Sequence, residues 1–210
     1  MPNKKETVCR FCRREGEKLY LKGERCYSNK CAMEEGRNPN PPGGLKFGRR
    51  TTSDYNTQLR EKQKVKRVYG VQETQFNNYY KKAAQKRGVT GDNLIELLES
   101  RLDNVVFRMG FAESRSHAKQ LVKHGHFTVN DKRADIPSML LRPGDVVKLK
   151  LQKIKKAVHK PQLEKKPEDC PFLWLEVDYR NMRGVYKHMP TRQEFEHKLQ
   201  MNLVVEFYSR

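Results

Sequence analysis

Residues 93–129 read NLIELLESRLDNVVFRMGFAESRSHAKQLVKHGHFTV, and this stretch decides the fold. Apolar residues recur at helical spacing from Leu94 up to Gly110, which predicts one continuous amphipathic helix. A shorter helix then begins at an N-cap, Ser114, and closes at Gly125. The stretch therefore predicts two consecutive helices that each bury one apolar side.

The pattern changes its period directly after the helix pair. Residues 126–129 are typical of a strand, Asn130 and Asp131 of a turn, and residues 145–151 of a second, alternating strand. The helices and strands together predict a small α/β module over residues 93–151.

The flanking sequence predicts further segments. Ser53 is placed to cap a helix that ends at Tyr69, before Gly70, and an apolar stripe predicts another helix ending at Gly88. The predicted domains are a basic arm with a Pro/Gly linker over residues 1–50, a helical domain over 51–92 that is completed by 171–210, the module over 93–151, a basic linker over 152–170, and C-terminal strands and a helix over 171–210 that pack back on the helical domain. Residues 173–177 and 203–208 are the strand-like runs. The fold class is α+β, mainly helical at the N-terminus, with the module inserted.

The charge of the chain points to a polyanionic partner. The 210 residues carry a formal net charge of +19, and only 36% of them are hydrophobic. Binding a polyanion neutralises this excess and releases condensed counterions. No apolar stretch approaches the ~20 residues of a spanning helix, and the polar N-terminus has no signal-peptide pattern. These features favour RNA or DNA over a membrane, and a cytoplasmic location.

Four of the five cysteines occur as two close pairs, Cys9-x2-Cys12 and Cys26-x4-Cys31. Thiolates at this spacing suit a tetrahedral zinc site of structural type, here one Zn²⁺ in a knuckle. An iron–sulfur cluster and four unrelated reduced cysteines are the alternatives. Cys170 lies far from both pairs and is interpreted as a partly buried thiol.

Basic residues form two candidate RNA-binding rows. In the helix that follows Ser114, polar side chains share one face, where they suit phosphate and 2′-hydroxyl groups. In the helix that follows Ser53, basic side chains alternate with apolar ones. A solvated basic face is the alternative for both rows. The predicted RNA-binding residues are Arg49, Arg50, Arg60, Lys62, Lys64, Lys66, Arg67, Arg101, Ser114, Arg115, Ser116, Lys119, Gln120, Lys123, His124 and His126.

Residues 98–112, LESRLDNVVFRMGFA, closely resemble the RNA-binding domain named after small-subunit ribosomal protein four. Residues 9–18, 59–66 and 204–210 are similar to the bacterial ribosomal protein four family itself, in its zinc-binding form. The resemblance implies a structural constituent of the small ribosomal subunit that binds small-subunit ribosomal RNA early and nucleates assembly of the subunit body. It also implies a role in translational accuracy, contact with small-subunit protein five, and no obligate homo-oligomer.

Enzymes that use the same RNA-binding module are the competing class. Pseudouridine synthases carry a catalytic aspartate in a Gly-Arg-Leu-Asp segment, which Arg101-Leu102-Asp103 resembles. Ser100 replaces the glycine here, so Asp103 is interpreted as orienting a neighbouring basic group. No nucleophile–base pair or phosphate-binding glycine loop accompanies Asp103 in the sequence. A zinc-bearing DNA-binding regulator, the third class, would need dimerisation heptads or a recognition-helix signature, and the sequence lacks both. The sequence therefore favours a binding protein over an enzyme.

Overall fold

A computed structural model describes residues 8–34, 40–43, 53–150, 170–191, 194 and 199–210. The chain forms two compact units, one of Met1–Phe76 with Leu199–Arg210 and one of Asn77–Lys198. Helices combine with a small antiparallel sheet, in agreement with the predicted α+β class. No helix in the described ranges is both long and apolar enough to cross a membrane.

The elements follow the chain in a simple order. The helices are α1 (Cys9–Glu15), α2 (Asp54–Tyr69), α3 (Glu73–Gln85), α4 (Thr90–Glu99), α5 (Leu102–Arg108), α6 (Arg115–Lys123) and α7 (Met201–Tyr208), with a 3-10 turn at Gly23–Cys26. The strands are β1 (Phe127–Val129), β2 (Lys132–Ala134), β3 (Val146–Leu149), β4 (Leu175–Asp178) and β5 (Arg183–Tyr186).

The predicted bounds of α2 are confirmed. The Ser53 hydroxyl accepts a hydrogen bond from the Asn56 N–H at 3.3 Å, which satisfies one open donor of the first turn. Gly70 ends the helix in the left-handed region, with φ +62°, where a residue without a Cβ meets no steric penalty. The cap and the terminating glycine thus act locally, as the sequence indicated.

The C-terminal helix α7 corrects one prediction. Residues 203–208 were expected to form a strand-like run, but they lie within a helix that packs against α2. Met201 and Val204 are buried at three-residue spacing, and the Gln58 amide donates to the Glu206 carboxylate at 2.9 Å. Tertiary packing overrides the strand propensity of the adjacent valines here.

Among the described residues, five strands form one antiparallel sheet in the order β2-β1-β3-β5-β4. The sheet, α5 and α6 share the hydrophobic core of the second unit. Its largest buried side chains are aromatic, and Trp174, Tyr179, Tyr186, Phe111 and Phe127 are each 2% exposed or less. The predicted turn between β1 and β2 is confirmed, because Asn130 and Asp131 both have positive φ, as a two-residue hairpin requires.

The sequence predicted that the strands after residue 170 pack back on the helical domain, but the structure places them in the sheet of the second unit. There β5 pairs with β3, with Val147 opposite Gly184, and β4 pairs with β5. A Cβ on Gly184 would lie 2.4 Å from the Met109 sulfur, so a glycine lets the strand approach the core closely. The alternating pattern of residues 145–151 predicted the strand β3 but not its partner β5, since pairing depends on residues far apart in sequence.

The long helix predicted up to Gly110 is wrong, because the chain leaves the helix at Ser100 and Arg101. Arg101 is extended (φ −67°, ψ 137°) and forms a β-bridge with Leu140. The Leu102 N–H donates to the Met139 carbonyl at 2.8 Å, so residues of a distant loop satisfy the backbone at the break. Arg49, Arg50, Leu151 and residues 152–169 lie outside the described residues.

Candidate nucleic-acid interface

Helix α6 presents a polar face on the second unit. The Ser114 hydroxyl caps it by accepting a hydrogen bond from the His117 N–H at 3.2 Å, which confirms the predicted start. The inward residues Ala118, Leu121 and Val122 are buried in the core. The outward residues are Ser116, Lys119, Gln120 and Lys123, of which Lys119 is half-buried and the others are exposed.

Lys119 is the polar residue of this face most affected by its surroundings. Burial lowers the pKa of its ammonium group, and the nearby charges of Arg101 and Lys123 act in the same direction. Asp103 opposes them without reversing the shift. A phosphate brought to this face would add the negative charge that favours the ammonium form, so the site gains electrostatically from an anionic ligand.

Three more basic or titratable side chains gather where α6 ends. The rings of His124 and His126 lie 6.3 Å apart, centroid to centroid. Arg133 reaches the same place from β2, since its Nε would lie 3.4 Å from a Cβ on Gly125. Its side chain is 68% exposed and pairs with Asp135 at 3.3 Å. Sequence reasoning missed Arg133, because only the pairing of β2 with β1 brings it to this edge.

Arg101, a predicted RNA contact, lies in the core instead. It is 1% exposed, and its guanidinium donates to both Asp103 oxygens, at 3.0 and 2.7 Å, and to the Tyr79 hydroxyl at 2.8 Å. The prediction that Asp103 orients a basic neighbour is confirmed. Because Arg101 is almost fully buried, the structure gives it a structural role and does not support its RNA contact, which stays a prediction.

Arg115, another predicted contact, belongs to a second buried polar network. Its Nε donates to the Asn104 side-chain oxygen at 2.8 Å, and its guanidinium lies 4.6 Å from the centroid of the Phe107 ring. Asn104 in turn donates to Glu99 at 2.6 Å, and Glu99 also accepts from Arg108 at 2.8 and 3.0 Å. At 9% exposed, Arg115 and Ser114 support the start of α6 from within and leave the outward contacts to other residues.

The five predicted cations of α2 all lie beside carboxylates of their own unit. Arg60 and Arg67 both donate to Glu15. The ammonium groups of Lys62 and Lys66 lie 2.7 and 2.9 Å from Glu73, while Lys64 lies 2.7 Å from Glu17 and 3.5 Å from Glu61. This row therefore links α2 to neighbouring segments, a role the sequence interpretation had not considered. Their RNA contacts remain a prediction.

The four paired cysteines are in the first unit. Cys12, Cys26 and Cys31 are buried and Cys9 is half-buried, while Cys26 Sγ accepts a hydrogen bond from the Lys22 N–H at 3.3 Å. Burial raises the pKa of the Cys12 thiol; the Leu19 N–H opposes this shift, and the charges of Cys26, Cys9 and Cys31 add to it. Within the described ranges, no group of three or more His, Cys, Asp or Glu side chains is placed to hold a metal ion.

Cys170 is half-buried and packs at the edge of the core of the second unit, as a partly buried thiol was expected to do. It lies far in sequence from the two cysteine pairs and in the other unit.

Comparison with known proteins gives a consistent result over the whole chain. Residues 3–99 match the family described as the ribosomal protein S4/S9 N-terminal domain, and residues 100–147 match the S4 domain. Several curated relatives are named small ribosomal subunit protein uS4. Those from Syntrophobacter fumaroxidans and Thermus thermophilus are both 51% identical, over 210 and 205 residues, and the alignments cover 98% and 97% of each chain. The relative from Thermodesulfovibrio yellowstonii is 50% identical over 204 residues, or 97% of each chain.

Proposed function

The chain belongs to the small ribosomal subunit protein uS4 family, and from this membership we propose that it is a structural, RNA-binding constituent of the small subunit of the cytoplasmic ribosome. It binds ribosomal RNA and catalyses no reaction. The single structural observation that carries the proposal is the outward face of α6, where Ser116, Lys119, Gln120 and Lys123 lie side by side.

The face suits an RNA backbone in its chemistry and in its rigidity. Ser116 and Gln120 offer hydrogen-bonding groups to phosphate and 2′-hydroxyl oxygens, and Lys119 and Lys123 supply charge. The buried side chains of Arg101 and Arg115 hold the structure beneath the face in one conformation. A surface organised before binding loses less conformational entropy when RNA arrives.

We further propose the finer roles that the family resemblance implied. The protein would bind small-subunit ribosomal RNA early, nucleate assembly of the subunit body, contact small-subunit protein five and support the accuracy of translation. The strong positive charge of the chain supports early binding, because steering by charge speeds association with RNA.

Binding of the purified chain to small-subunit ribosomal RNA, compared with unrelated structured RNA of equal length, tests the proposal across a series of salt concentrations. We expect a preference for the ribosomal RNA that persists near physiological salt, and affinity for both RNAs that falls as salt rises. Lys123→Ala should reduce the slope of log affinity against log salt by about one. Lys187→Ala, which removes an exposed lysine paired with Glu176 on the sheet, is the matched control. Equal affinity for both RNAs would contradict the proposal.

We also propose that Cys9, Cys12, Cys26 and Cys31 hold one structural Zn²⁺. The chemistry of the donors supports this, since the other three thiols all lie close enough to Cys12 to act on its charge, and three of the four thiols are buried. The hydrogen bond from the Lys22 N–H to Cys26 Sγ would help to stabilise a thiolate there. Bound zinc would cross-link the segment from α1 to residue 34, which has few apolar residues of its own.

Metal analysis of the purified chain tests the zinc proposal. We expect one equivalent of zinc, and we expect Cys12→Ser and Cys31→Ser to lose it while Cys170→Ser retains it. A chelator should lower the stability of the first unit. Iron with visible absorption would instead identify an iron–sulfur cluster, and no bound metal would contradict the proposal.

A further inference from the structure

A pair of exposed tyrosines stands out on the first unit. Tyr27 is 74% exposed and Tyr20 is 36% exposed. Their ring centroids are 5.1 Å apart, with the ring planes inclined at 32°. Aromatic rings are normally buried because of their large apolar area, so an exposed pair is a common feature of ligand-binding surfaces. We call Tyr20 and Tyr27 the tyrosine platform.

The backbone holds the platform in place. Tyr20 has φ +49°, a conformation that costs a bulky residue free energy and persists only where the surroundings impose it. The N–H of Tyr27 donates to the Glu24 carbonyl at 3.0 Å, at the end of the 3-10 turn. The Ser28 hydroxyl donates to the Arg25 carbonyl at 3.1 Å and accepts from the Lys30 N–H at 3.3 Å. The rings are therefore carried by an ordered turn.

The surroundings of the platform are electropositive. Residues 8–34 contain seven Lys and Arg residues and four Glu residues. Three of the four carboxylates are paired with cations: Glu34 with Lys18 at 2.6 Å, Glu17 with Lys64 at 2.7 Å, and Glu15 with Arg60 and Arg67. Around the platform the side chains of Lys22, Arg25 and Lys30 are exposed.

We propose that the tyrosine platform binds an unpaired RNA nucleobase by stacking, with Tyr27 as the main contact and the neighbouring cations holding the adjacent phosphates. Exposed aromatic rings beside basic residues are the combination by which proteins bind single-stranded nucleic acid. A purely anionic ligand would gain nothing from stacking on the rings. A purely apolar partner would have to remove water from the nearby cations, which costs free energy. The proposal rests on the RNA-binding function proposed above and adds a second contact, on a different unit from α6.

Affinity of the full chain for small-subunit ribosomal RNA and for a short single-stranded oligoadenylate tests the proposal. Tyr27→Ala should weaken binding roughly 5- to 150-fold, the range that follows from losing one stacked base. Because stacking releases no counterions, the salt slope should stay at the wild-type value, whereas Arg25→Ala should lower the slope. Tyr27→Phe keeps the ring and should retain most of the affinity; Tyr27→Leu keeps apolar bulk alone and should behave like Tyr27→Ala.

Tyr55→Ala is the matched control, because Tyr55 is another exposed tyrosine of the same unit, 51% exposed, and forms an aromatic pair with Phe207. Far-UV circular dichroism and thermal unfolding of each variant show whether it folds like the wild type. Unchanged affinity in Tyr27→Ala would overturn the proposal and favour a protein contact for the platform. Equal losses in Tyr27→Ala and Tyr55→Ala would overturn it as well. If the wild-type chain binds neither RNA, the proposed function itself fails. If the wild-type chain binds RNA and Tyr27→Ala binds it equally well, only the platform is refuted.

Discussion

At the scale of single residues, arginine has two different roles in this protein. Arg101 and Arg115 are buried and hydrogen-bonded within the second unit, whereas Arg133 is exposed near the end of α6. A buried guanidinium must satisfy its donors within the protein, so Arg101 takes Asp103 and Tyr79 as partners. Charge counted from the sequence therefore overstates the charge that is available to RNA.

Asp103→Ala should destabilise the second unit strongly. Removing the carboxylate leaves the Arg101 guanidinium buried without its counterion, a change that costs about 3–5 kcal/mol. Trp174, the single tryptophan of the chain and 1% exposed, makes urea unfolding of this unit measurable by fluorescence. The control Glu176→Ala breaks an exposed pair with Lys187 and should cost at most about 1 kcal/mol. Similar costs for the two variants would contradict the structural role of Arg101.

Glu73 should make the stability of the first unit sensitive to acid. Partial burial opposes its ionisation, but hydrogen bonds from Lys62, Lys66 and Tyr208 outweigh it and lower the pKa from 4.5 to about 2. The carboxylate is ionised in both states above about pH 5, so its contribution is complete there. Between about pH 4.5 and pH 2 the unfolded chain takes up the proton first, and the contribution is lost.

Glu73→Gln should remove this part of the acid dependence of thermal unfolding, followed by far-UV circular dichroism. Because the Glu73 side chain is 46% exposed, solvent screening limits the effect to about 1 kcal/mol. Glu17→Gln is the control, since Glu17 is equally exposed but pairs with a single lysine, Lys64, among the residues that the structure describes. An unchanged acid limb in Glu73→Gln would show that the three hydrogen bonds contribute nothing measurable.

At the scale of elements, α6 depends on its cap as well as on its apolar side. The helix is only nine residues long, too short to be stable in isolation, so its first turn needs an acceptor for the open N–H groups. Ser114 supplies that acceptor, and the core beneath supplies the rest of the stability. The polar face of α6 therefore depends on residues that lie at its start or beneath it.

Ser114→Ala should destabilise the second unit by about 1 kcal/mol, because the His117 N–H loses its acceptor. Ser116→Ala changes the same residue type two positions later on the exposed face and should lie within about 0.5 kcal/mol of wild type. Urea unfolding followed by Trp174 fluorescence compares the two. RNA affinity is the second measurement. Relative to its small loss of stability, Ser116→Ala should lose more RNA affinity than Ser114→Ala, because its hydroxyl lies on the exposed face of α6.

At the scale of the whole molecule, the first unit is discontinuous in sequence. The helix α7, at the very end of the chain, packs against α2, more than 130 residues away, as in the 2.9 Å hydrogen bond from Gln58 to Glu206. Lys62 is 5% exposed, and its ammonium group lies 4.5 Å from the centroid of the Phe207 ring. The C-terminal segment is therefore part of this unit's core.

A chain truncated after Lys198 should lose hydrogen-exchange protection in α2, because Gln58, Lys62 and Tyr55 lose their partners on α7. A chain truncated after Tyr208 keeps the whole of α7 and serves as the control. Protection in α2 that is equal in the two truncated chains would contradict the role assigned to the C-terminal helix.

The sequence by itself determined the features that depend on near neighbours. The cap at Ser53, the stop at Gly70, the amphipathic α6 and the Asn130-Asp131 turn all follow from residues within a few positions of one another. The resemblance of residues 98–112 likewise led to the correct family, since nearly the whole chain matches its relatives.

Only the tertiary structure decided which distant groups meet. The bridge of Arg101 to Leu140, the pairing of β5 with β3, and the ion pairs of α2 with Glu15 and Glu17 all join residues far apart in sequence. Periodicity reports which side of an element is apolar, but it carries no information about which element covers that side. Arg101 looked like a surface cation in the sequence because two of its contacts, with Tyr79 and with the chain near Leu140, lie far from it in sequence.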